Sequence, residues 1–174
     1  LHGEHGYWSR LTPADSWIAM TDVSVAWKDD VKVLLDGATA ATPGALVEEK
    51  TSSLAWHWRM AEPELGAARA DELWHKLELE MQDRPVELLR GDKVVEVRSR
   101  GVSKAHVVER LLAGLAAAPT IAAMGDDATD EECFLALPPE GIAIGVGYRP
   151  TVARYRVATP RAARALLQDL VRPA

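Results

Sequence analysis

Two apolar runs, Thr120-Ile121-Ala122-Ala123-Met124 and Gly141-Ile142-Ala143-Ile144-Gly145-Val146, carry no polar alternation. A strand with one wet face alternates with period two, so runs without alternation are expected of strands covered on both faces, as in a parallel sheet. Around them, Val108, Leu111, Leu112 and Leu115 fall at i, i+3, i+4 and i+7, and Ala163, Leu166, Leu167 and Leu170 repeat that spacing. Helix and strand therefore alternate, which is α/β layering, and ligands of such sheets bind beyond the carboxyl ends of the strands.

The middle, from about Trp27 to Arg98, reads as a separate α+β module of helix, strand, strand, repeated once. Asp29 to Ala41 is a helix stopped by Thr42-Pro43-Gly44. Pro63 to Gln82 is a second, with Leu73, Trp74, Leu77 and Met81 on one stripe. Val86 to Arg90 and Lys93 to Arg98 are strand-like, joined by Gly91-Asp92, a linker suited to a type II′ hairpin. Residues two apart on a strand point the same way, so Leu54, Trp56 and Trp58 share one face, and His57 and Arg59 the other. Glu48 projects with Lys50, and Glu96 with Arg98. One face would be apolar against the helices and the other charged, either as a recognition surface or simply facing water.

With 174 residues, 48% apolar and 26% charged, the chain is long and apolar enough to bury a core. Net charge is −6 and the basic residues are scattered, which argues against nucleic acid as a partner. No apolar stretch approaches the ~20 residues that cross a bilayer, and no signal-peptide pattern opens the chain. Cys133 is the single cysteine, which rules out an internal disulfide and suits a reducing compartment. A soluble, cytoplasmic protein without a membrane partner is expected. The opening Leu1-His2-Gly3-Glu4-His5-Gly6-Tyr7-Trp8 lacks a methionine and reads as the interior of something longer.

The chemistry concentrates in Gly125-Asp126-Asp127-Ala128-Thr129-Asp130-Glu131, directly after the first apolar run. Three carboxylates within five residues repel one another unless a cation compensates, and hard oxygen ligands at a site open to substrate suit Mg²⁺. Helix capping is the other account, with Asp or Thr at the N-cap and Glu131 and Glu132 meeting the dipole. Both can hold together, but capping explains Asp127 or Thr129 and leaves further acids without a reason. Upstream, Lys104 follows Ser103 at the start of a helix spanning Ala105 to Leu115, a place suited to a phosphoryl group. Gly145-Val146-Gly147 lacks the third glycine of a dinucleotide fingerprint. His5 reads as a turn or hydrogen-bonded core residue, and Cys133 as a small buried thiol.

Taken together, the sequence resembles the trehalose-6-phosphate phosphatase family of the haloacid-dehalogenase-like superfamily along nearly its whole length. The resemblance rests on several segments. They are Glu4-His5-Gly6-Tyr7-Trp8-Ser9-Arg10, Thr42 to Lys50 with Leu54 to Arg59, Val94 to Arg98, Gly101-Val102-Ser103-Lys104, the acidic motif, and Val146-Gly147 with Thr151 and Ala153. It implies a Rossmannoid parallel-sheet core with an inserted cap of helix-strand-strand repeated: residues 1–28 and 100–174 in the core, 29–99 in the cap. It also implies that Asp126 binds Mg²⁺ with Asp127 and Asp130 supporting the site, and that Lys104 steadies phosphate and nucleophile. Glu48, Lys50, Arg59 and Glu96 would hold the sugar hydroxyls, the same charged face that alternation suggests.

Two departures stand out. Ala105 replaces the glycine that often follows the motif lysine, and the family's opening Asp-x-Asp-Gly-Thr is absent from these residues. Without that nucleophile no aspartyl-phosphate forms. The expectation is therefore a trehalose 6-phosphate phosphatase whose present segment is inactive alone, in a parent that can also hold a trehalose-6-phosphate synthase domain. The alternative is a non-catalytic phosphatase-like domain that binds sugar phosphate or docks a synthase.

Overall fold

The computed structural model describes residues 1–10, 12–114 and 120–172. They cluster into two compact units, Leu1–Val102 and Ser103–Ala174.

The first unit begins with three two-residue strands, β1 (His2–Gly3), β2 (Trp8–Ser9) and β3 (Ile18–Ala19), paired antiparallel in that order. Helix α1 (Lys28–Ala40), strands β4 (Leu46–Glu49) and β5 (Ser53–His57), helix α2 (Pro63–Met81), and strands β6 (Val86–Gly91) and β7 (Val94–Ser99) then give the expected helix-strand-strand repeat. The four longer strands form one antiparallel sheet in the order β4-β5-β7-β6. Trp27, Val31 and Leu35 come from the start and body of α1, and Leu73, Leu77 and Met81 from α2. They meet Leu54, Trp56, Val95 and Val97 of the sheet in one buried cluster. The α2 stripe is as the periodicity requires, except that Trp74 is only partly buried, its ring capped by the Arg90 guanidinium 4.5 Å away.

Local chemistry sets the ends of these elements. Pro63 opens α2, and the Glu62 carboxylate accepts the amides of Glu64 and Leu65 at 3.0 and 2.7 Å. Gly44, after α1, has φ +88, and a Cβ there would strike the Met60 carbonyl. The β6–β7 hairpin differs from expectation. Gly91 pairs with Val94, so the two-residue loop is Asp92-Lys93 rather than Gly91-Asp92. The positive φ falls on Lys93 at +58, the second loop position, whereas a II′ turn needs it at the first.

The second unit runs α3 (Lys104–Ala113), β8 (Ala122–Gly125), α4 (Ala128–Leu135), β9 (Ile142–Val146), β10 (Tyr155–Val157) and α5 (Pro160–Leu170). Its three described strands are parallel, in the order β10-β9-β8. Cover on both faces is reached at Ile144 and Gly145 but not along β8, the edge strand, where Ala122 is exposed. Helical spacing likewise placed the helices better than their burial. Val108 and Ala163 are buried, whereas Leu111, Leu167 and Leu170 are exposed. Leu115, the last of the first helical set, lies outside the described residues. Among the described residues no helix is long and apolar enough to cross a membrane.

Candidate active site

Strand β8 ends at Gly125 and delivers the acidic turn to the carboxyl end of the parallel sheet. A Cβ on Gly125 would overlap the Asp130 side chain, so the glycine is what lets that carboxylate fold back beneath the turn. There Oδ2 of Asp130 accepts the amides of Asp126 and Asp127 at 2.8 and 3.1 Å. In return, Oδ1 of Asp127 accepts the Asp130 amide at 2.9 Å and the Thr129 hydroxyl at 2.7 Å. This reciprocal arrangement is a capping box at the start of α4. Lys104, first residue of α3, donates from Nζ to Oδ1 of Asp130 at 2.6 Å and lies 3.5 Å from Oδ1 of Asp127. Ser103 caps α3, accepting the His106 amide.

Burial pushes the Lys104 ammonium towards a lower pKa. The hydrogen bond to Asp130 and the charges of Asp130 and Asp127 outweigh that, and its pKa is raised. Burial also pushes Asp127 upward, but the Thr129 hydroxyl, the Lys104 charge and the amides of Asp130 and Thr129 hold it below the usual carboxylate value. The repulsion that the sequence posed is thus relieved largely from within the protein. Asp130 as well as Asp127 has a capping role, so the expectation that capping leaves two acids without a reason is corrected: one remains.

That one is Asp126. Its side chain is exposed and has no hydrogen-bonding or ionic partner among the described residues. It borders a cavity of about 110 Å³ shared with Asp127, Glu131, Arg149, Thr151 and Arg156. Arg156 donates to the carbonyls of Gly147 and Arg149 at 2.6 and 2.9 Å, and Glu131 accepts the Val152 amide at 2.8 Å. The loop after β9 is thereby tied both to itself and to the acidic helix. Among the described residues no three His, Cys, Asp or Glu side chains are grouped to hold a metal. An unsatisfied carboxylate at an open cavity nevertheless suits Mg²⁺, which takes one or two carboxylates and fills its octahedron with water and phosphate oxygens. For Cys133, burial and the Asp130 charge push the thiol upward against the opposing charge of Lys104, as befits an unreactive residue.

On the four-stranded sheet, alternation separates the faces as expected: Leu54, Trp56, Val95 and Val97 go to the core, while Glu48, His57 and Glu96 turn away from it. Glu48 lies 3.0 Å from Nε2 of His57 and 3.7 Å from Nζ of Lys50. The second face is not simply wet. Arg98 is 1% exposed and pairs with Glu87 at 3.0 Å, and the Glu96 side chain is 13% exposed. Arg59 stands apart, exposed at 67%, with its guanidinium on the Asp92 carbonyl and carboxylate at 3.2 and 3.0 Å. His5 lies in a turn, as the sequence suggests, but what the sequence did not indicate is that its Nε2 comes within 3.6 Å of Oε1 of Glu96. A His-Gly pair announces a turn, but nothing local announces the strand that the turn packs against.

The trehalose-phosphatase family model matches residues 1–162. The chain belongs to the trehalose-phosphatase family. Among members and relatives, a bifunctional trehalose-6-phosphate synthase/phosphatase of Thermoproteus tenax is 34% identical over 173 residues, 99% of this chain and 23% of that protein. An alpha,alpha-trehalose-phosphate synthase (UDP-forming) of Arabidopsis thaliana is 33% identical over 173 residues, covering 89% of this chain and 20% of that protein. The chain thus spans about a fifth of the length of the curated relatives it matches. The solved C-terminal domain of a C. albicans trehalose-6-phosphate phosphatase superposes with a TM-score of 0.86 at 25% identity, over 95% of this chain and 68% of that one. The trehalose-phosphatase chain therefore has a haloacid-dehalogenase-like fold, an α/β parallel-sheet core with an α+β cap.

Proposed function

We propose that the protein of which this chain is part hydrolyses trehalose 6-phosphate to trehalose and phosphate. In this reading residues 1–28 and 100–174 belong to the phosphatase core and 29–99 to the cap. The observation that carries it is the contrast within the acidic turn: both oxygens of Asp130 and Oδ1 of Asp127 are engaged by hydrogen bonds, while Asp126 keeps an exposed carboxylate without a partner among the described residues, at a cavity that Asp127 also lines.

Asp126 is the direct ligand for Mg²⁺, with Asp127 and Asp130 holding the turn that aims it. When bound, the cation supplies positive charge to a phosphoryl oxygen. Lys104, held by Asp130, places an ammonium at the N-terminus of α3, where the phosphoryl group and the attacking carboxylate need neutralising. That carboxylate belongs to the family's Asp-x-Asp-Gly-Thr strand, which is not among these residues. Glu48, Lys50, Arg59 and Glu96 accept and donate to the sugar hydroxyls, Arg59 after leaving Asp92. The bifunctional T. tenax relative supports a synthase domain in the same parent chain, and the single cysteine supports a cytoplasmic setting.

The test is phosphate release from trehalose 6-phosphate in Mg²⁺ by the parent protein. Activity that falls at least about 100-fold in Asp126→Ala, with sucrose and mannose phosphates turned over poorly, is the expected result. A folded parent that binds trehalose 6-phosphate without releasing phosphate would replace this reading with the non-catalytic one.

A further inference from the structure

Glu4, His5 and Gly6 have successive φ values of +48, +56 and +94. The left-handed region suits glycine but is unfavourable for a glutamate and a histidine, so something beyond the turn must hold them there. The clamp is Thr51, in the β4–β5 turn. Its amide and hydroxyl donate to the Glu4 carboxylate at 2.8 and 3.1 Å, and Nε1 of Trp8 donates to the same hydroxyl at 3.0 Å. What the turn delivers is the His5 imidazole, onto the charged face of the sheet. Its Nε2 stands 3.6 Å from Oε1 of Glu96, with the two side chains only 15% and 13% exposed. Buried Nδ1 of His5 and Oε1 of Glu96 both lack a hydrogen-bond partner. A buried ring nitrogen and a buried carboxylate oxygen left unsatisfied side by side are costly unless a further polar group completes them.

We propose that His5 is the positioning residue for Glu96: it fixes that carboxylate in place, so that the pair offers hydrogen-bonding atoms to the hydroxyls of a sugar. This rests on reading the sheet face as the sugar subsite. The surrounding groups are compatible with it. Ser53 on β5 bonds to Glu96 and Lys50, just after β4, adds positive charge, whereas Glu48 is occupied by His57, and Arg98 by Glu87. Burial pushes Glu96 upward, but the neighbouring His5 imidazole, the hydrogen bond from Ser53 and the Lys50 charge hold its pKa below the usual value. Asparagine tolerates left-handed backbone and carries no charge, so His5→Asn keeps the turn while removing the imidazole.

Two measurements test the proposal. The first is the carboxyl carbon titration of Glu96 by NMR in the 174-residue chain, whose midpoint rises by half a pH unit or more in His5→Asn. The second is kinetics of the parent protein, in which His5→Asn and Glu96→Gln each raise KM for trehalose 6-phosphate about tenfold with kcat within twofold, the pattern of lost uniform binding. An unmoved Glu96 midpoint, or kcat falling with KM unchanged, overturns the positioning role. If the wild-type parent releases no phosphate, the phosphatase reading fails, and the Glu96 titration with trehalose as the added probe still decides the role of His5: resonances of His5 and Glu96 that shift with the sugar uphold it, and unmoved resonances overturn it.

Discussion

Nζ of Lys104 lies 2.6 Å from Oδ1 of Asp130, while the other oxygen of that carboxylate receives the amides of Asp126 and Asp127. A single buried acid thus joins the start of α3 to the turn that presents Asp126. The pair bears on stability as well as on the site.

The pH dependence follows from the two shifted groups. Lys104 has a raised pKa, so its contribution is complete below its ordinary value of 10.5 and is lost as pH rises through the folded value. Asp127 has a lowered pKa, so its contribution is complete above 3.8 and is lost as pH falls through the folded value. The urea midpoint should be flat with respect to these two groups between those values and decline outside them. In Lys104→Met the alkaline decline should shrink, and in Asp127→Asn the acid one.

Gly125→Ala should cost about 1–3 kcal/mol, the range for overpacking, because the added methyl must displace the Asp130 carboxylate and with it two amide bonds. Denaturant unfolding measures this. An unchanged midpoint would mean that the turn has slack that its hydrogen bonds do not suggest.

Neighbouring aspartates should part company on substitution. Asp127→Ala removes an N-cap and should cost about 0.5–2 kcal/mol. Asp126→Ala removes an exposed group without a partner, should stay within about 0.5 kcal/mol of wild type, and yet should lower Mg²⁺-dependent phosphate release by the parent protein at least about 100-fold. Melting curves set beside phosphate assays separate the two.

In the first unit, Trp56→Ala should cost about 3–5 kcal/mol, since Trp56 is fully buried between sheet and helices and its Nε1 donates to the Thr39 hydroxyl at 3.1 Å. Trp56→Phe should cost less, keeping most of the volume but leaving the hydroxyl without its donor. Calorimetry of both variants checks the order.

Much of the fold was legible because it is written in short-range periods. Alternation on Leu54 to Trp58 assigned the sheet faces, and the α2 stripe named Leu73, Leu77 and Met81, since side-chain direction in a strand or helix follows from backbone geometry alone. The β6–β7 loop was misread by one residue because Gly91 invites a turn, yet cross-strand pairing carries it into the strand and moves the positive φ to Lys93. The spacing placed α3 and α5 but left the cover of their outer positions open, because it reports that a helix has a stripe, not that a neighbour covers it.

By itself the sequence determined that an acidic turn follows a parallel strand, that a lysine begins a helix upstream, and that one sheet face is charged, because strand, cap and turn preferences act over a few residues. Only the tertiary structure decided which acids are spent and which is left free. Asp130 is satisfied in part by a lysine 26 residues away, Glu96 is met by His5 from the opposite end of its unit, and of the motif's three aspartates Asp126 alone has a carboxylate without a partner among the described residues. Hydrogen-bond accounting of that kind depends on distances across the fold, and sequence spacing carries no record of them.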